Sequence, residues 1–167
     1  MSRRSSLFSL CVFLAAASVA GAQVRSDVGS YSGSLRGTQG VRGTAMARAS
    51  DASRLSGTVD IRPSSTLKEG FYSVKIRLTS TGGMSATTML QWTISPGRCG
   101  SRLQFLVQPT ETSPLEVRSG GDADASWEGP IKFTPDGSYQ LVVFGMGGVR
   151  EQDVMACGNL KYAKPVK

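Results

Sequence analysis

The sequence contains no histidine among its 167 residues. Histidine is the usual nitrogen ligand of copper and zinc in proteins, and it is the general base of the Ser-His-Asp relay. A histidine-ligated metalloenzyme and a hydrolase with that relay are therefore excluded. Aromatic residues are also scarce, at 7% of the chain, and they do not cluster beside the basic residues as expected of a nucleic-acid-binding protein. We expect no nucleic-acid partner.

Long apolar runs are absent except for one near the N-terminus. Arg3 and Arg4 precede an apolar stretch, Leu7–Ala20, which small residues follow. This pattern predicts a signal peptide cut between Ala22 and Gln23, by the general secretory route or by the twin-arginine route. The run is too short to span a membrane. We therefore expect a secreted or periplasmic protein that does not span a membrane.

Cysteine is rare, with three residues in the chain. Cys11 lies in the predicted signal peptide, residues 1–22, so the mature chain 23–167 keeps Cys99 and Cys157. Two cysteines in an exported chain indicate one disulfide, and two free buried thiols are the alternative. A mature chain of this length suits a single domain, with its core at about 30–160.

Acidic residues are the minority: 12 against 19 basic residues, for a net charge of +7. The excess lies in the N-terminal part of the mature chain, where Arg42, Arg48 and Arg54 belong to a series of arginines about six residues apart. This basic half is either a solvated face that keeps the protein soluble or a contact surface for an anionic envelope component or a partner protein.

Helical periodicity is absent from the mature chain, which instead alternates apolar and polar residues in short runs separated by turn signals such as Ser95-Pro96-Gly97. The clearest runs are Phe71–Thr79 and Thr87–Ser95. The pattern predicts an all-β domain, either a sandwich or a flattened barrel. The further predicted strands are Ser30–Arg36, Val41–Ala49, Leu55–Arg62, Leu103–Val107, Ala123–Glu128, Tyr139–Phe144 and Val154–Leu160.

Two cysteine motifs carry a resemblance to a known family. They are the segment Gln91–Gly100, which reads QWTISPGRCG, and the segment Val154–Leu160, which reads VMACGNL. Together they resemble the Cu/Zn superoxide dismutase family and its chordin-type relatives, in which a Trp-His-Ile-His strand precedes Gly-x-Cys and a later Ala-Cys-Gly closes the disulfide. The resemblance implies a Greek-key sandwich or flattened barrel of about eight strands, with Cys99 bonded to Cys157.

The sequence departs from the family at its metal site. The family's histidines fall on Thr93, Ser95 and Phe144, and hydroxyl and phenyl groups are poor ligands for copper or zinc. We therefore expect no catalytic residue, no metal ligand and no cofactor. The resemblance implies a pseudoenzyme that acts as a binding or structural module, and a residual dismutase or antioxidant enzyme with unusual metal ligands is the alternative.

Two other sets of residues carry groups that can bind a metal ion. Met84 and Met89 offer thioethers to Cu(I), although scattered methionines usually fill cores. Asp122, Asp124 and Glu128 offer carboxylates to Ca²⁺, but without the spacing of a ligand loop they are interpreted as a solvated turn.

The two tryptophans of the chain differ in what their neighbours predict. Trp92 alternates with Leu90 and Ile94, which predicts a core position. Trp127 stands among small and polar residues, so that it fits either the core or a ligand platform.

Overall fold

The computed structural model describes residues 29–38, 54–66, 68–81, 89–134, 136–145 and 153–165. Eight antiparallel strands close into a barrel in this part of the chain, and a 3₁₀ turn forms at Pro109–Glu111. The all-β prediction and the strand number are therefore confirmed. The strands are β1 Ser30–Gly37, β2 Leu55–Pro63, β3 Phe71–Ser80, β4 Met89–Pro96, β5 Leu115–Val117, β6 Asp122–Pro130, β7 Tyr139–Phe144 and β8 Val154–Ala163.

The order of neighbours around the barrel is β1, β2, β3, β6, β5, β4, β7 and β8. The first strand pairs with the last, so Tyr31 lies opposite Tyr162 and Arg36 lies opposite Cys157. Closure gives each strand a neighbour on both sides, and it is one way in which β proteins avoid exposed edge strands.

Alternation along strands such as β3 separates the barrel core from the solvent. In β3 the side chains of Val74, Ile76 and Leu78 are buried, whereas those of Lys75 and Arg77 between them are exposed. Fully burying one such aliphatic side chain contributes about 1.5–3 kcal/mol. Inward-facing residues of the other strands complete one apolar core.

Strands β4 and β7 are buried on both faces, because a loop covers their outward side. This covering loop, residues 97–114, connects β4 to β5. Its Leu103 and Phe105 pack against buried Val142, Phe144 and Cys157 outside the barrel. We call these residues, together with Val154, the outer cluster.

The disulfide joins the covering loop to β8. Cys99 and Cys157 are bonded with a Cα–Cα distance of 5.8 Å, which confirms the predicted pair. The backbone N–H of Cys99 also donates to Asn159 Oδ1 on β8 at 2.8 Å. The loop is thus attached to the last strand by a covalent bond and a hydrogen bond.

Two sequence predictions about strands were wrong. Leu103–Val107 is not a strand but part of the covering loop, and its alternation reflects packing on two apolar clusters. Strand β5, at Leu115–Val117, was missed because three residues are too few to show a period of two. The predicted signal peptide and the predicted strand at Val41–Ala49 lie outside the described residues.

Candidate functional site

The three positions that the resemblance assigns to metal histidines lie on the outward side of neighbouring strands. Thr93 and Ser95 lie on β4, and Phe144 lies on β7; all three are fully buried. In the β4–β7 register Thr93 is opposite Val142 and Ser95 is opposite Gln140. Directly opposite residues share a face of a sheet, so the three side chains lie together beneath the covering loop.

Both hydroxyl groups bind the backbone of the covering loop. Thr93 Oγ1 donates to the carbonyl oxygen of Val107 at 2.5 Å. Ser95 Oγ accepts a hydrogen bond from the backbone N–H of Gln104 at 2.9 Å. The two side chains therefore hold the loop in place and do not face an open cavity.

Apolar groups lie beside Thr93 on this face. The rings of Phe105 and Phe144 meet edge to face, with centroids 6.3 Å apart, beside Leu103 and Val142. Copper and zinc require imidazole, thiolate or carboxylate ligands, none of which these side chains supply. Within the described part of the chain, no three residues of the His, Cys, Asp and Glu types are close enough to hold a metal ion. The residues present do not fit the metal that the resemblance implies.

Gln140 is a buried polar residue that the sequence did not single out. Its side chain is only 1% exposed, and its Nε2 donates to the carbonyl oxygen of Pro96 at 3.5 Å. Its Oε1 lies 3.3 Å from Cys157 Sγ, which has no proton to donate because it is disulfide-bonded. The available signal that this face is covered was the nearly continuous apolar run of β7, which places Val142 and Phe144 at outward positions.

The two tryptophans fasten the end of the covering loop. Trp92 is fully buried, which confirms its predicted core position, and Trp127 is half-buried. Their rings meet edge to face with centroids 6.0 Å apart. The indole N–H of Trp92 donates to Ser113 O and that of Trp127 donates to Glu111 O, both at 2.8 Å. Trp127 therefore packs at the margin of the core.

The acidic residues considered for calcium lie on β6, which confirms the strand predicted at Ala123–Glu128 and shows that their interpretation as a turn was wrong. Asp122 and Asp124 are exposed on β6, and Asp124 forms an ion pair with Arg118 at 2.6 Å. They line an open depression of about 550 Å³ beside Lys75 and Arg77 of β3. Basic side chains thus surround these carboxylates, which is unfavourable for a cation.

Of the remaining predicted site residues, two are exposed and three lie outside the described ranges. Met89 is exposed at the start of β4, and Arg54 is exposed just before β2. Met84, Arg42 and Arg48 lie outside the described residues. The predicted methionine pair and the predicted arginine series stay predictions.

One end of the barrel holds an aromatic cluster that the sequence did not indicate. The rings of Tyr31 and Phe133 stack with centroids 4.1 Å apart, and Tyr139 packs edge-on against both. The hydroxyl of Tyr139 accepts a hydrogen bond from the backbone N–H of Thr134, which fixes the β6–β7 loop over this end. Burial, and secondarily the neighbouring tyrosines, raises the pKa of Tyr31 to about 12.

Comparison with known proteins gives no relative from which to transfer a function. No family model, no curated protein and no solved structure matches this chain. No helix of the described residues is long and apolar enough to cross a membrane. Function must therefore be argued from the chemistry of the barrel and of its covering loop.

Proposed function

We propose that this protein is an exported, metal-free and non-catalytic member of the Cu/Zn superoxide dismutase-like fold, acting as a binding or structural module in the cell envelope or outside the cell. One observation carries the proposal: the face where the resemblance places the metal ligands is packed shut. Thr93 and Ser95 use their hydroxyl groups to bind the covering loop there, and Phe144 packs against Phe105 of the same loop.

The strand order supports the Greek-key part of the proposal. Strands β4, β5 and β6 are consecutive neighbours, and β7 returns to lie beside β4. Three consecutive strands with the fourth beside the first are the arrangement that defines a Greek key. Strand β3 likewise lies beside β6, on the other side of the same three strands.

The disulfide supports the proposed location, since such bonds persist mainly in oxidising compartments. It also bears on chemistry, because Cys99 and Cys157 are bonded to each other and offer no thiolate to a metal. Imidazole is absent from the entire chain. A copper-dependent dismutase would therefore lack both of the side-chain types on which protein copper sites depend most.

The test is metal binding by the mature chain, residues 23–167, purified without a histidine tag. The oxidised protein is exposed to Cu²⁺ and Zn²⁺, freed of unbound metal, and analysed by elemental mass spectrometry and a superoxide dismutation assay. We expect less than stoichiometric metal and no activity above that of the same amount of free metal. A stoichiometric, tightly bound copper ion with dismutase activity would overturn the proposal.

A matched variant removes the main source of error in that experiment. Partial reduction would free two thiols, and thiolates bind copper strongly. The double variant Cys99→Ser, Cys157→Ser identifies copper held in this way. Copper that both proteins retain would indicate a site elsewhere, with Thr93 and Ser95 the first positions to change.

A further inference from the structure

Four exposed basic residues lie within four positions of a disulfide cysteine in the chain or directly opposite one in the strand register. Two of them belong to strands and two to the start of the covering loop. We call this group the disulfide patch; its members are Arg36, Arg98, Arg102 and Lys161.

The strand residues of the patch are placed by the β1–β8 register. Arg36 lies directly opposite Cys157, so both side chains are on the outward face. Lys161 follows Cys157 by four positions on β8, and an even spacing keeps it on the same face. Asn159 lies between them and accepts the hydrogen bond from Cys99 N–H.

The loop residues of the patch are placed by the disulfide and a tight turn. Arg98 adjoins Cys99, whose Cα lies 5.8 Å from that of Cys157. The turn closes where the backbone N–H of Ser101 donates to Arg98 O at 2.8 Å, while Ser101 Oγ accepts from Arg98 N–H at 3.2 Å. Arg102 follows directly, so both arginines are held beside β8.

Within the described ranges, no carboxylate forms an ion pair with a member of the patch. The ion pairs among the described residues are Arg62 with Asp60 and Arg118 with Asp124, and neither includes a patch member. Like charges spread along one outward face, with Lys161 opposite Ser32 and Arg36 opposite Cys157, produce a positive potential that attracts a ligand with repeated negative charges. Three of the four are arginines, whose planar guanidinium groups bind carboxylate or sulfate through paired hydrogen bonds.

The surroundings of the patch are polar and suit a sugar. Ser32 and Ser34 expose hydroxyl groups on β1, on the same face as Arg36. The large apolar side chains that the described residues expose are Met89 and Tyr162, and both lie outside the outward face of β1 and β8 that carries the patch. Proteins that bind a membrane surface usually combine basic residues with apolar groups that enter the lipid.

We infer that the disulfide patch binds an anionic polysaccharide, with its carboxylate or sulfate groups on the four basic side chains and its hydroxyl groups on the serines. The inference rests on the proposed function, because it names the partner of an extracytoplasmic binding module. It assigns the contact to residues other than the predicted Arg42, Arg48 and Arg54.

Binding of the untagged mature protein to three immobilised polymers tests the inference. Polygalacturonate supplies carboxylates, dextran sulfate supplies sulfates, and unmodified dextran is the neutral control. We expect binding to both anionic polymers and not to dextran, with affinity that falls as salt screens the exposed charges. The double variant Arg98→Gln, Arg102→Gln is expected to bind at least about tenfold more weakly, equivalent to about 1.4 kcal/mol.

A second double variant separates a specific patch from net charge. Lys75→Gln, Arg77→Gln removes two exposed charges from β3, where neither residue has an ion-pair partner among the described residues. This variant should bind the anionic polymers as tightly as the wild type does. An equal loss of affinity in both variants would refute the assignment of the binding site to the patch. Both variants should form the disulfide and unfold at the wild-type temperature, which excludes misfolding as the cause.

Vesicles of phosphatidylglycerol and phosphatidylcholine complete the test. If only vesicles bind, and the loop variant loses that binding, the partner is an anionic membrane and the polysaccharide inference is wrong. Failure to bind any polymer, with the protein still free of stoichiometric metal, overturns the inference and leaves the proposed function standing. Copper-dependent dismutase activity would overturn the proposed function whatever the polymers show.

Discussion

At the scale of single residues, a few polar atoms determine how the outward face of β4 and β7 is covered. Thr93 and Ser95 each provide one hydroxyl group, and each group meets the backbone of the covering loop. Buried polar groups are stable only when they have hydrogen-bond partners. The same two side chains that make the face unsuitable for a metal therefore make it suitable for the loop.

Replacing Thr93 by valine should destabilise the fold. The change keeps the shape but leaves the Val107 carbonyl without its donor in a buried place, at a cost of about 1–3 kcal/mol. Urea unfolding measures the change. Thr58→Val, at an exposed position of β2, is the control and should stay within about 0.5 kcal/mol of the wild type. Equal effects of the two changes would contradict the assigned hydrogen bond.

Tyr31 should make stability depend on pH in alkaline solution. Its pKa is raised from 10.0 to about 12 in the folded state, so the unfolded chain loses the proton first as pH rises. Stability is therefore unaffected by this group below about pH 10 and falls between about 10 and 12. Ultraviolet titration should show one late-ionising tyrosine fewer in Tyr31→Phe than in the wild type, because burial also raises the pKa of Tyr72. If the wild type and Tyr31→Phe unfold identically in alkaline solution, the raised pKa of Tyr31 is contradicted.

Residue-level predictions from the sequence succeeded where they depended on counting or on alternation. Cys99 and Cys157 were the only cysteines left outside the predicted signal peptide, and alternation placed Thr93 and Ser95 on one face. Gln140 and Phe105 were missed, because their roles depend on the path of the covering loop. That path is determined by contacts with residues far away in the chain, which no local pattern encodes.

At the scale of elements, the covering loop behaves as a second layer on one side of the barrel. It is held by the disulfide, by backbone bonds such as Leu106 N–H to Ile94 O at 2.9 Å, and by the outer cluster. Its segment Leu103–Val107 has the alternation of a strand for this reason. Leu103 and Phe105 contact the outer cluster, with exposed Gln104 between them, and Leu106 and Val107 lie against the main core without a ladder of backbone pairs.

The double variant Cys99→Ser, Cys157→Ser should lower the free energy of unfolding by about 4 kcal/mol, the chain-entropy value for a closed loop of this length. Hydrogen exchange should quicken most in residues 97–114, which lose their covalent attachment. Chemical denaturation and exchange mass spectrometry measure the two effects. Reductant should lower the free energy of unfolding of the wild type by a similar amount and leave that of the variant unchanged. A variant as stable as the oxidised wild type would contradict the expected role of the disulfide.

At the scale of the whole molecule, the order of the strands was beyond sequence reasoning. Alternation predicts which side chains of a strand face inward, but it does not say which strands become neighbours. The arrangement β3–β6–β5–β4–β7 depends on pairings between residues far apart in sequence. The missed strand β5 lies at the centre of that arrangement, so the barrel could not have been assembled from the predicted strands alone.

The barrel should open first where β5 joins its neighbours. Strand β5 forms two residue pairs with β4 and two with β6, whereas β2–β3 and β3–β6 form nine pairs each. Exchange mass spectrometry should therefore find Leu115–Val117 among the first strand amides to exchange. Trp127→Phe, which removes the indole bond to Glu111 O, should accelerate exchange there and leave β2 unchanged. Uniform acceleration across the barrel would show that it opens as one unit.

The pairing of β1 with β8 also sets the earliest moment at which the protein can be completed. A chain that leaves a ribosome or a translocation channel presents Ser30–Gly37 first and Val154–Ala163 last of the eight strands. Until β8 arrives, β1 and β7 each lack a neighbour, and Cys99 has no partner for its sulfur. Closure of the barrel must therefore follow synthesis of β8, and until then β1 and β7 present unpaired edges of the kind that favour aggregation.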